Sequence, residues 1–178
     1  MQQKSAWLLS GILALFTLPP TAQADAIGDN NICYAQFATG NYGSAINYCS
    51  RAIESGELSE GDLVAALINR GVAYKSSGDL ESAVADYTHA LQLAPDDALL
   101  YQNCANALRE MGDFDSALID IEKSLELAPE VAGAWYVRGA IAEAQGDGQA
   151  ARRFYMSALG LDPENKAYKA KLQSGEAP

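Results

Sequence analysis

The sequence is poor in the residues on which most chemistry depends. It has one histidine, His89, and three cysteines, Cys33, Cys49 and Cys104. None of these are clustered at zinc-ligand spacing, and no Cys-x-x-Cys pair of the kind a redox enzyme favours occurs. No glycine-rich phosphate loop is present; the glycines fall singly, as punctuation. Basic residues are scarce, 12 against 23 acidic ones for a net charge of −11, which argues against nucleic acid or an anionic membrane as the main partner, since both require a cationic face. The acids that do group, Asp96-Asp97, Asp113, Asp115 and Asp147, each precede a predicted helix, where capping and the helix dipole explain them. His89 is expected on the outward side of a helix. The composition therefore points away from an enzyme, and no cofactor or metal is called for.

Long apolar runs are also rare. The first stretch holds the only one: Lys4, then the apolar run Ala6–Leu18, then Pro19-Pro20 and a small-x-small pattern at Ala22-Gln-Ala24. This is the pattern of a secretory signal peptide, 1–24, with the mature chain starting at Asp25. A retained membrane anchor is the competing reading, and the run is short for it. The mature protein is expected to be periplasmic or secreted, with no membrane insertion after signal removal.

What the chain does have is repetition. GDLESAVADYTHALQLAP at 78–95 returns as GDFDSALIDIEKSLELAP at 112–129 and, more loosely, as GDGQAARRFYMSALGLDP at 146–163, so the copies start at equal steps, Gly78, Gly112 and Gly146. Upstream, GNYGSAINYCSRAIESGE at 40–57 keeps the glycine, Ala45 and Ala52 but lacks the proline. Each unit reads as two helices. Leu67, Gly71 and Tyr74 form one stripe at three- to four-residue intervals, Gly78-Asp79 interrupts with Asp79 placed to cap, and Ala83, Tyr87, Ala90 and Leu91 form the second stripe before Pro95. Gly71 and Ala83 are expected to let the helices approach closely. Pairs this short cannot bury a face alone, so copies must stack.

These slots resemble the tetratricopeptide repeat family over roughly residues 28–163. The family's Trp/Leu, Gly, Tyr, Ala, aromatic, Ala, Pro order is matched by Leu67, Gly71, Tyr74, Ala83, Tyr87, Ala90 and Pro95. The next unit has Tyr101, Ala105, Leu108, Ala117, Ile121, Ser124 and Pro129, and the last has Trp135, Gly139, Ala142, Ala151, Tyr155, Ala158 and Pro163. The resemblance implies an all-α, right-handed α-solenoid of about four helix-turn-helix repeats. Its expected parts are a degenerate first repeat and loop at 25–63, repeats at 64–97, 98–131 and 132–165, and a capping helix and tail at 166–178. The step from Ala45 to Ala83 is longer than the step from Ala83 to Ala117, and the excess falls in Glu57–Asp62, a junction expected to be longer or bent.

The repeat pairing also bears on the cysteines. Cys33 and Cys49 lie equally far from Asn41, which brings them opposite one another in an antiparallel helix pair. A disulfide there would stabilise the weakest repeat by roughly 3 kcal/mol, the alternative being two buried thiols. Cys104 reads as a small core residue.

The resemblance implies a binding surface rather than a reaction centre. In the family, first helices of successive repeats line a groove that holds a peptide or helix of another protein. Equivalent positions form ladders here: Asn31, Asn69, Asn103, Val137, and Phe37, Lys75, Arg109, Glu143. Asn69 and Asn103 carry both donor and acceptor and can grip a peptide backbone. Lys75 and Arg109, with Gln102 and Asn106 nearby, suggest a local cationic spot for an acidic side chain or terminal carboxylate; Tyr34 and Tyr136 add aromatic ends. The competing account is that Lys75 and Arg109 answer only the dipoles of their own helices. The two-carboxylate clamp by which some family members hold chaperone tails is not matched, because its lysine slot holds Asn30, Ile68 and Gln102. The expected function is a non-enzymatic adaptor or scaffold binding a segment of a protein partner, with a monomer favoured. The alternative is a self-associating structural component of an envelope assembly, with the junction at 57–62 as its contact.

Overall fold

A computed structural model describes residues 20–174, so residues 1–19 of the signal peptide expected at 1–24, its apolar run included, lie outside them. The described residues are all-helical: α1 (Pro20–Ala38), α2 (Tyr42–Glu54), α3 (Glu60–Ser77), α4 (Leu80–Leu93), α5 (Ala98–Met111), α6 (Phe114–Leu127), α7 (Ala132–Ala144), α8 (Gly148–Leu161) and α9 (Lys166–Ser174). The helices pair as hairpins, α1 with α2 through α7 with α8, and each hairpin packs on the next through α2–α3, α4–α5 and α6–α7, with α9 against α8. This is the array that the equal steps of the repeat predict, closed by a short helix.

The turns are written in the sequence. Asp79, Asp97, Asp113 and Asp147 each accept from a backbone N–H three residues on, at 3.1, 3.0, 3.2 and 2.8 Å. At the ends of α3 and α5, Gly78 and Gly112 take φ of +90° and +86°, where a side chain would be strained, and the next residue's N–H reaches back to Tyr74 or Leu108. Pro95 follows α4 within two residues.

The 57–62 junction differs from the expected loop. Its extra residues become the first turn of α3, which runs 18 residues where α5 has 14. Ser59 is the reason: its hydroxyl accepts from Asp62 N–H at 3.2 Å and donates to the Asp62 carboxylate at 2.6 Å, starting the helix early.

Packing within hairpins follows a paired rule. A Cβ placed on Gly71 would lie 2.6 Å from the Tyr87 ring, and one on Gly139 would lie 2.7 Å from the Tyr155 ring. The close approach therefore lays the tyrosine ring across the glycine, and in repeat 4 the backbone oxygen of Ala151, at the Ala83 slot, would also lie 3.3 Å from a Cβ on Gly139. Repeat 3 keeps the slots and changes both members, with Ala105 and Ile121 fully buried. In the first hairpin the two slots hold Cys33 and Cys49, joined in a disulfide across a Cα–Cα distance of 5.3 Å. Cys104 is buried, as expected, and burial raises its thiol pKa above the ordinary value. Ser124, in the slot that holds alanine elsewhere, is fully buried and donates to Ala98 O at 2.7 Å.

A second polar lock ties repeats 1 and 2. Arg70 grips the buried Asp86 with two hydrogen bonds, 2.8 and 2.7 Å, and donates to Ser50 at 2.9 Å. The Asp86 hydrogen bond raises the guanidinium's pKa further, against the opposing effect of burial.

Candidate functional site: the face of the first helices

α1, α3, α5 and α7 are the first helices of the four hairpins, and α1 packs on α3 as α5 packs on α7. The polar residues singled out in the sequence lie along the line where these helices meet. Asn69 on α3 donates to Asn30 on α1 at 3.3 Å. The rung thus runs through Asn30, while Asn31, expected in the ladder, is exposed. Asn103 is half-buried on α5 and forms no side-chain hydrogen bond among the described residues. Val137, the ladder's last rung, is buried in the core.

Gln102 is seated against α7. A Cβ on Gly133 would come within 2.6 Å of Gln102 Oε1, so only glycine leaves room for the amide there. That oxygen is buried and has no hydrogen-bond partner among the described residues. An acceptor withdrawn from water and left unpaired is destabilising unless a donor arrives.

The Lys75–Arg109 pair is present, but it is not simply cationic. Glu110 lies between the two side chains, receiving Lys75 at 2.9 Å and Arg109 at 3.0 Å. Arg109 also donates twice to Asn106 Oδ1, at 3.2 and 2.9 Å, which fixes its guanidinium on the face. One step along, Glu143 on α7 accepts from Lys171 of α9 at 2.6 Å and from the Tyr155 hydroxyl at 2.8 Å. The Lys171 hydrogen bond is the chief reason the Glu143 carboxyl stays below its ordinary pKa; partial burial opposes this, and Tyr155 and Arg109 reinforce it. Tyr155 is raised, first by burial and then by its bond to that carboxylate. The result is a seam of alternating charge, Lys75, Glu110, Arg109, Glu143, Lys171, crossing from α3 to α9.

Tyr136 is placed differently from the open aromatic that the sequence suggested. It lies between Tyr155 and Tyr168, ring centroids 5.3 and 5.1 Å away, so the capping helix covers it. Tyr34, by contrast, is 62% exposed on α1. His89 is exposed on α4, away from this face. Sequence reasoning missed Glu110 and Asn30. Glu110 could have been found, since it falls one residue past the repeat-equivalent of Lys75.

Against known proteins, tetratricopeptide repeat profiles match residues 64–97 and 105–166, together more than half of the chain. The chain belongs to the tetratricopeptide repeat family. No curated protein matches it in sequence. Among solved structures it is similar to the first such domain of Spaghetti (RPAP3) bound to an HSP90 peptide, SRMEEVD, at 25% identity and a TM-score of 0.59, covering 63% of this chain and 89% of that one. It is similar to the Arabidopsis OM64 domain, also at 25% identity, TM-score 0.61, covering 66% and 98%. MamA from Desulfovibrio magneticus shares the fold over more of the chain, with 20% identity, TM-score 0.68, and coverage of 85% and 89%.

Proposed function

We propose that this protein is a non-enzymatic adaptor or scaffold that binds a segment of a partner protein along the face of its first helices. The observation that carries the reading is the line of amides crossing that face. Asn69 and the half-buried Asn103, unpaired among the described residues, offer amide donors and acceptors on α3 and α5, which suits a guest presenting its own backbone. The RPAP3 domain, whose structure holds the peptide SRMEEVD, supports the use of this fold for such a guest. Glu110 and Glu143 occupy the cations of this face, so its guest need not be acidic, in keeping with the unmatched chaperone clamp.

The same reading places the protein outside the cytoplasm. Its support is the signal-like start of the chain and the Cys33–Cys49 bond, of a kind that persists in oxidising compartments. Cleavage before Asp25 would trim Pro20–Ala24 from α1. Intact-mass measurement of the protein from its native cells checks this directly, and a chain retaining Met1–Ala24 overturns it.

Selection of a random peptide-display library on the immobilised protein tests the binding role. Enriched peptides should lose roughly tenfold or more in affinity to an Asn69→Ala/Asn103→Ala variant, about 1.4 kcal/mol, and keep their affinity for His89→Ala. Peptides indifferent to the first variant would place binding elsewhere.

A further inference from the structure

Besides lacking the proline and the Asp cap, the first repeat departs from the other three at one pair of packing slots, and that departure gives it a different source of stability. Cys33 and Cys49 are 16 residues apart. Gly71 and Tyr87, Ala105 and Ile121, and Gly139 and Tyr155 stand at the same separation in the following hairpins. In those, a large side chain lies across a small one and glues first helix to second: Tyr87 and Ile121 are fully buried and Tyr155 nearly so. In the first hairpin a covalent bond occupies that place.

The rest of the first hairpin is packed more lightly: Phe37, Ile46 and Tyr48 lie only partly buried against the cysteines, and one ion pair, Arg51 with Asp29 at 3.1 Å, joins α2 to α1. Among the described residues, its buried side chains are Ala26, Cys33, Ala45, Cys49 and Ala52, so the two cysteines are the largest of them. They form a small cluster with Ala45 and Ala73, separate from the main core that runs from Leu67 to Ile141. α1 carries Gly28, Asp29, Asn30 and Asn31 in succession, four weak helix formers, so its helix depends on being docked. Its polar ties onward are the Asn69–Asn30 and Arg70–Ser50 hydrogen bonds, both only part-buried.

We propose that the Cys33–Cys49 bond is a redox latch on the first repeat, so that the array has four ordered repeats when oxidised and three when reduced. Reduction is an ordinary two-electron exchange with a dithiol. Both cysteines are fully buried, so exchange follows a local opening of α1 from α2. One thiolate of the dithiol attacks one protein sulfur and the other protein sulfur leaves as a thiolate; the dithiol's second thiolate then attacks its own first sulfur and expels the remaining protein sulfur. The reductant ends as a disulfide and the protein as two thiols. Two thiols bury far less apolar surface than a tyrosine ring on a glycine, and the freed loop regains its chain entropy. Helices α1 and α2 then separate from the array, and the face of the first helices loses Asn30 and Tyr34.

Hydrogen exchange of the full chain with and without dithiothreitol reads this out segment by segment. Without reductant, α1 and α2 should be protected. With it, their exchange should rise about tenfold or more while α5 to α8 stay within about twofold. Two replacement pairs test the slot itself: Cys33→Gly/Cys49→Tyr copies repeats 2 and 4, and Cys33→Ala/Cys49→Ile copies repeat 3. At least one should keep α1 and α2 protected whether or not dithiothreitol is present. Unchanged protection in the reduced wild-type chain overturns the proposal. So does a loss spread over the whole array, or a loss that neither replacement pair prevents.

Discussion

Individual residues in this chain act as matched pairs, and the pairs make sharp predictions. Gly71→Ala pushes a methyl group toward the Tyr87 ring, 2.6 Å away, and should destabilise the protein by about 1–3 kcal/mol. Adding Tyr87→Ile should recover part of the loss, because Ala105 and Ile121 already use that combination one repeat later. Urea unfolding midpoints of the single and double variants check both statements. Asp86→Ala should cost more, about 3–5 kcal/mol, because Arg70 is left charged, largely buried and uncompensated. Thermal melts of Asp86→Ala beside a control, Glu126→Ala, that removes an exposed carboxylate paired with Lys123, should separate the two by several degrees. The pairs themselves were only half legible in the sequence. The repeat register marked Gly71, Ala83 and Tyr87 as special, but it did not show that Tyr87 lies across Gly71, since periodicity orders residues within a helix and does not say which side chain crosses to the next. The carboxylate of Glu110 was missed for a related reason. It lies outside the repeat pattern, and its two cations come from α3 and α5 together.

At the level of elements, helix ends were the most readable feature, because an Asp cap, a left-handed glycine and a following proline are each local demands of the backbone. The early start of α3 was readable too, in Ser59-Glu60-Gly61-Asp62, had that insertion not been taken for a loop. The covering of Tyr136 was not readable, since it depends on where α9 lands, with the whole of α8 and a turn in between. That docking is expected to depend on pH. Glu143, whose folded pKa is depressed by Lys171, contributes its stabilisation fully above the ordinary glutamate value and loses it as pH falls through the lower folded value. Acidification should therefore loosen α9 before the hairpins, seen as loss of the mutual ring-current shifts of Tyr136 and Tyr168 by NMR. Glu143→Gln should abolish that pH dependence; a Tyr168 signal that moves with pH just as before would assign the change to another group.

Across the whole molecule, the repeat explains both the fold and the absence of recognisable catalytic motifs in the sequence. A stacked array uses its small and large side chains for packing between helices, and on the proposed reading the line of first-helix polar residues is what meets the guest. Asn30, Asn69, Gln102, Asn103 and Asn106 occupy that line, while the charged seam from Lys75 to Lys171 binds successive repeats to one another and to the cap. The face was legible as a set of positions and not as a surface: its polar character followed from the repeat slots, whereas its charge balance required side chains from several helices. The most direct test of the account places a photo-crosslinking residue in turn at Tyr34 and Asn103, with His89 as the control on α4, in the native cells, and identifies adducts by mass spectrometry. One discrete partner protein captured from both first-helix sites and not from His89 is the predicted result. Adducts at His89 with silent first-helix sites, or adducts only between copies of this chain, would contradict it.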